Sequence, residues 1–157
     1  DIDFTLAAWV YLDSTATSQM VLCKGDLGAG TYEYMIRFSS SAVRFELRVG
    51  NGAATGTRSA TTFGAPSTVT WYHVIAWHDA TANTINICVN NGTADSTAYT
   101  SGSYDSAYSF VLGNSSAGST YYWDGRIDEV GIWKRVLTAA ERTELYNAGS
   151  GKTCCPF

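Results

Sequence analysis

The stretch AVRFELRV, residues 42–49, alternates without a break. Val43, Phe45, Leu47 and Val49 fall on one side, and Arg44, Glu46 and Arg48 on the other. A strand switches faces at every residue and sorts this pattern into one buried and one solvated face, whereas a helix would smear it around its circumference. Strands with one wet face belong to antiparallel sheets. Similar runs recur at short intervals. FTLAAWVYL (4–12), QMVLCKG (19–25) and TYEYMIRFS (31–39) come before it, the last placing Tyr32, Tyr34, Ile36 and Phe38 on one face. TWYHVIAWHD (70–79) reads as a central strand buried on both faces. TINICVN (84–90), a short FVLG (110–113) and YYWDGRIDEVGIWKR (121–135) complete the series. Residues 50–67 read as a loop or an irregular edge, and Asn91-Gly92 as a tight hairpin turn. Short strands punctuated by turns make a sandwich or barrel. At 157 residues the chain is long enough for one such domain, spanning 1–157, with a core of its own.

One segment breaks the strand pattern. Thr138 stands three residues before Glu141, the spacing of a capping box, and good helix formers continue to Gly149, the expected stop. Leu137, Leu145 and Tyr146 are placed to seat this single helix, and an open end or edge of the sheets is the expected place for it to cover.

Charge and cysteine usage exclude several classes. A net charge of −4 gives no electrostatic footprint for nucleic acid or an anionic membrane. The longest apolar run, WYHVIAW, is strand-sized, so no membrane insertion is expected. The cysteines, Cys23, Cys88, Cys154 and Cys155, form no C-x-x-C pair, and with two histidines a zinc site is not expected. They permit disulfides in an oxidising compartment. Adjacent cysteines close only a strained ring, so Cys154 or Cys155 is expected to seek a distant partner, with Cys88 within its reach. The chain opens inside a strand, which reads as a piece of a longer parent. Its Ser-, Thr-, Gly- and Tyr-rich composition suits a secreted or surface-displayed protein.

Five segments then carry a resemblance: FTLAAWVYLD, VLCKGD, YMIRF, WYHVIAWHDATANTINICVNNG, and WDGRIDEVGIWKRVLTAAERTELYNAGSGKTCCPF. In this order and spacing they resemble the laminin-G-like jelly rolls of the concanavalin-A-like lectin and glucanase superfamily. The resemblance implies an all-β, two-sheet antiparallel β-sandwich with one short C-terminal helix. It also implies a non-catalytic extracellular module binding glycans or surface proteins, often with structural calcium. Such modules occur in adhesins, glycan-degrading enzymes and virion tail structures, so a structural domain of a virion fibre or surface assembly is the alternative. Two departures stand out: the strand that usually precedes the FTLAAWV equivalent is missing or lies upstream of residue 1, and Cys154-Cys155 replaces the usual residues before Pro156-Phe157.

Candidate sites follow from both readings. The resemblance makes Asp128 the preferred calcium ligand, with Asp124 as a second; the residues alone equally allow Asp128 to accept backbone N–H groups while Glu129 faces water. Tyr104, Tyr108, Tyr121, Tyr122 and Trp123 lie in or beside polar loops, where flat rings suit the CH-rich faces of sugars. Asp26 sits in a glycine-rich loop that could hold a cation or a sugar hydroxyl, though an ordinary hairpin connection is the favoured explanation. Trp9, Trp71 and Trp77 are assigned to the core. Catalysis is not expected. The E-x-D-x-x-E arrangement of the superfamily's glucanases occurs nowhere in the chain, and GNSSAG is not a nucleophile elbow.

Overall fold

Two five-stranded antiparallel sheets face each other in a computed structural model that describes residues 1–27, 30–103, 105–116 and 120–152. The strands are β1 (Phe4–Leu12), β2 (Gln19–Asp26), β3 (Thr31–Ser39), β4 (Arg44–Gly50), β5 (Thr55–Ser59), β6 (Thr70–Asp79), β7 (Thr84–Val89), β8 (Asp95–Ala98), β9 (Phe110–Leu112) and β10 (Gly125–Trp133). Sheet A runs β10-β1-β6-β7-β8 and sheet B runs β5-β4-β3-β2-β9. This is the expected β-sandwich jelly roll. The stretch 50–67 contains a true edge strand, β5, and the hairpin turn lies one residue earlier than the Asn-Gly signal. Asn90 and Asn91 hold the two positive φ angles (51° and 53°), and the Gly92 amide donates to the Val89 carbonyl at 3.1 Å.

The core fills the space between the sheets. Leu6, Ala8, Val10 and Leu12 of β1 meet Tyr72, Val74 and Ala76 of β6, Ile85 and Ile87 of β7, and Ile36, Phe38, Phe45 and Leu47 from sheet B. Tyr34 packs against this core, but Tyr32 does not, contrary to the expected single face. The register pairs Lys24 with Tyr34 and Gly25 with Tyr32, so Glu33 is an extra residue, and Tyr32 joins Met20, Cys23 and Met35 on the outer face of sheet B. A bulge inserts one residue and so breaks any count by two.

Strand β10 carries a second such bulge. Its pairing with β1 jumps from Ala7↔Gly131 to Trp9↔Asp128, and Glu129 takes a positive φ of 46°. Ile127 and Val130 therefore both pack inward, while Asp128 and Glu129 between them line the same outer hollow. Two adjacent acids sit among apolar neighbours because the strand bulges there.

The outer face of sheet A is apolar as well, and it needs a cover. Ala7, Ile75, Trp77 and Cys88 form a separate cluster with Leu137, against which Val136 and Leu145 pack. The helix α1 (Ala139–Tyr146) thus lies over a sheet face, not over an end or edge as its sequence suggested. Its capping box is present, with Glu141 N–H donating to Thr138 Oγ1 at 3.3 Å and Thr138 N–H donating to Glu141 Oε2 at 2.8 Å. It stops at Asn147 in the left-handed region, two residues before Gly149. Arg142 stacks on Trp77 at 4.2 Å, and Tyr146 stacks on Trp9 at 5.9 Å. Trp9 and Trp77 are accordingly buried on the outer face and not in the inter-sheet core.

His73 lies in this layer, 5.3 Å from the Trp9 ring and 6.1 Å from Tyr146, and burial pushes its imidazole down to about 4 from 6.5. The folded state holds it neutral, while the unfolded chain takes up a proton sooner. The stability linked to this group is full above pH 6.5 and drains as pH falls towards 4, by up to roughly 3 kcal/mol. Urea unfolding across that window should show the loss in the native chain and less of it in His73→Gln. Cys88 is buried in the same layer, its thiol donating to the Gly92 carbonyl at 3.2 Å and raised in pKa by burial. Cys154 and Cys155, its expected partners, lie outside the described residues.

Candidate functional site

The residues singled out in the sequence do not gather into one site. Tyr121 is half-buried, its ring packed against the Met20–Cys23–Tyr32–Met35 cluster and its carbonyl accepting the Met20 amide at 2.9 Å. Trp123 turns the other way. It packs on the inter-sheet core, and its indole N–H donates to the carbonyls of Tyr11 and Arg126, each at 3.2 Å. Of the three consecutive aromatics only Tyr122, 60% exposed, presents its ring to solvent. Tyr108 is half-buried, Tyr104 lies outside the described residues, and Asp26 closes β2 opposite Thr31. Alternation along the chain has dealt the trio to different surroundings.

The acids fare similarly. Asp128 is exposed, and its Oδ1 accepts the Glu129 amide at 2.8 Å. Asp124 precedes the strand, with its backbone N–H on Gln19 Oε1 and its carbonyl on the Asp13 amide. Four residues of extended chain separate the two by roughly 13 Å, too far to share one ion. Calcium takes six to eight oxygens, and no cluster of three His, Cys, Asp or Glu side chains suited to a metal occurs among the described residues. This donor set does not fit a closed calcium site as it stands. The melting temperature is expected to be the same in millimolar calcium and in chelator; a rise of several degrees with calcium, lost in Asp128→Asn, would restore the ion.

A different set does converge, on the outer face of sheet A beyond the end of α1. Eight helical residues cover about 12 Å, while the ten residues of β6 extend about 33 Å, so the helix leaves the start of β6 bare. Trp71 stands there, 37% exposed. The register places it beside Tyr11 and two residues from the Trp9↔His73 pair. Tyr11 meets Trp71 edge-on at 5.5 Å, and the Arg126 guanidinium lies 4.7 Å above the Tyr11 ring. Across the sheet edge, the bulge in β10 turns Asp128 and Glu129 to the same side. Trp9, Trp71, Asp128, Glu129, Gly149, Ser150 and Gly151 enclose a hollow of about 220 Å³. The indole N–H of Trp9 is buried and has no hydrogen-bond partner among the described residues.

Sequence reasoning missed this groove because it assigned Trp9 and Trp71 to the core. The available signal was that β6 is apolar on both faces while the one helix able to cover its outer face is too short.

A family model described as the concanavalin A-like lectin/glucanase superfamily, laminin-G type, matches residues 1–141. The chain belongs to that superfamily. Solved structures of the same lectin/glucanase fold include the carbohydrate-binding module CBM40 of the Ruminococcus gnavus IT-sialidase bound to α2,3-sialyllactose. It is 15% identical with a TM-score of 0.73, over 91% of this chain and 81% of that one. A Bacteroides ovatus protein described as a putative carbohydrate-binding protein is 19% identical with a TM-score of 0.70, over 88% of this chain. The lectin-like chain spans only 39% of that protein. Domain 4 of the Geobacillus stearothermophilus arabinanase AbnA, bound to arabinotriose, is 17% identical with a TM-score of 0.58, over 90% of this chain and 65% of that one. No curated protein matches the chain.

Proposed function

We propose that this chain is a non-catalytic carbohydrate-binding module working outside the cell, and that it holds its glycan against the groove on the outer face of sheet A. The observation that carries this reading is Trp71, a tryptophan 37% exposed on a sheet face beside two carboxylates. The CH-rich face of a sugar is the surface that a large flat ring with polar neighbours suits. At about 220 Å³ the hollow is smaller than the roughly 300–1,000 Å³ pockets that enclose a drug-sized ligand. It would seat one ring of a longer glycan and leave the rest in solvent. The glycan-bound relatives support the same class of ligand.

The non-catalytic part of the reading rests on placement. Glycoside hydrolysis uses two carboxyl groups that flank the scissile bond. Asp128 and Glu129 are neighbours on one strand and face the same side of anything bound.

Trp71→Ala is the direct test. The expected result is a loss of about tenfold or more in affinity for the glycans that the native chain binds on an array, measured by calorimetry, with an unchanged circular dichroism spectrum. A folded Trp71→Ala chain that binds as before would move the site elsewhere, Tyr122 being the next aromatic to test. A second reading, protein contacts within a larger assembly, draws on Phe110, Leu112 and Ile132, which are 37%, 48% and 46% exposed on the edge strands β9 and β10. An array-negative chain that self-associates in sedimentation would favour it.

A further inference from the structure

Resting on the carbohydrate-binding reading, we infer that the Trp9–Trp71 groove is built for a neutral, hydroxyl-bearing glycan and rejects glycans that carry a carboxylate. Four kinds of group line it, one of them Ser150, whose hydroxyl can both donate and accept. Asp128 and Glu129 can only accept hydrogen bonds, and both bring negative charge. Trp9 can only donate; its N–H has no partner among the described residues and is closed off against Gly151, so a ligand reaches it by displacing that turn. Trp71 offers a ring face. Gly151 lets the donor and one acceptor stay side by side: a side chain there would come within 2.9 Å of Glu129 Oε2 and 3.1 Å of Trp9 Nε1.

A matching ligand must donate to carboxylates and accept from an indole N–H at once. A quaternary ammonium group answers the negative charge and suits the aromatic rings, but leaves the Trp9 N–H unanswered. The carboxylate of a sialic or uronic acid answers the N–H, but brings another negative charge to two already present in a chain of net charge −4. A hydroxyl does both, giving its proton to Asp128 or Glu129 while its oxygen accepts from Trp9. Several hydroxyls on a ring with an apolar CH face describe an uncharged sugar. Arg126, stacked over Tyr11, does not line the hollow and offsets only part of the carboxylates' charge from beside it. The ligand expected here therefore differs in charge from the sialyllactose held by the Ruminococcus module.

The test is an array of matched glycans, neutral and sialylated forms of each core (lactose with α2,3-sialyllactose among them), with choline chloride as a competing cation. Binding should be confined to neutral members and at least about tenfold weaker for each acidic partner, and choline should not compete. Trp71→Ala and Glu129→Gln should each weaken neutral binding with melting temperature unchanged. The Asp128→Asn/Glu129→Gln double variant should narrow the gap between neutral and acidic partners. A preference for acidic members, displacement by choline, or neutral binding indifferent to Trp71→Ala and Glu129→Gln would each overturn the inference while leaving carbohydrate binding in place. Binding to no glycan at all would overturn carbohydrate binding, and this inference with it.

Discussion

Glu46→Ala should lower stability by about 3–5 kcal/mol, one of the largest effects of any single polar substitution in this chain. Glu46 is 4% exposed and Arg37 is 7% exposed, on what the alternation of β4 marks as a solvated face. Arg37 donates to Glu46 Oε2 through Nε at 2.9 Å and Nη2 at 2.8 Å, and Ser59 donates to Oε1 at 3.1 Å. Removing the carboxylate leaves a buried guanidinium without its counter-charge, and the desolvation already incurred is no longer offset. In a domain of this size the melting temperature should fall by on the order of 10 °C. The double variant Arg37→Met/Glu46→Leu separates this cause from lost packing. It removes both charges and should stay close to the native chain in urea unfolding, whereas an equal loss in the two variants would show that shape and not charge is at stake.

Gly125→Ala should be about as damaging for an unrelated reason. Gly125 begins β10 at φ +145°, and a β-carbon there would lie 1.9 Å from the Tyr11 carbonyl oxygen, a backbone atom that no rotamer change can move. Strain and overlap together should cost at least about 3 kcal/mol, or else displace the edge strand from β1. Since Asp128 and Glu129 ride on that strand, the proposed glycan binding should weaken with it. Gly64→Ala is the control: its φ of +95° is also strained, but nothing lies within 4 Å of the added carbon. Its cost should be the smaller of the two in thermal unfolding. Equal costs would mean that the contact with Tyr11 is not what constrains Gly125.

Much of the fold was legible because local rules and the final packing agree. The bounds of β3 and β6 and the Thr138–Glu141 cap appear where alternation and the box motif put them. The face assignments failed where the count by two was interrupted. Glu33 moves Tyr32 out of the core, and nothing in TYEYMIRFS marks that residue as an insertion. Buried Glu46 was illegible for another reason, since a charged residue at an outward position looks the same whether neighbouring side chains cover it or water does. The site was less legible than the fold. Tyr121, Tyr122 and Trp123 look alike in a polar stretch, yet one packs on sheet B, one faces solvent and one closes the gap between the sheets. Trp71 and Trp77 share a strand and a face, and only the reach of α1 makes one exposed and the other covered.

The bulge at Glu129 has one more consequence. Strike that residue out, and β10 reads inward and outward in strict turn from Ile127 through Asp128, Val130 and Gly131. Glu129 is a supernumerary position whose side chain the core never consults, held at the modest cost of a left-handed backbone. A residue beside such a hollow is ordinarily constrained by the scaffold as well as by anything the hollow holds. At this position the scaffold's constraint is slack, so the charge and reach of this wall can be changed by substitution while the sandwich beneath stays the same.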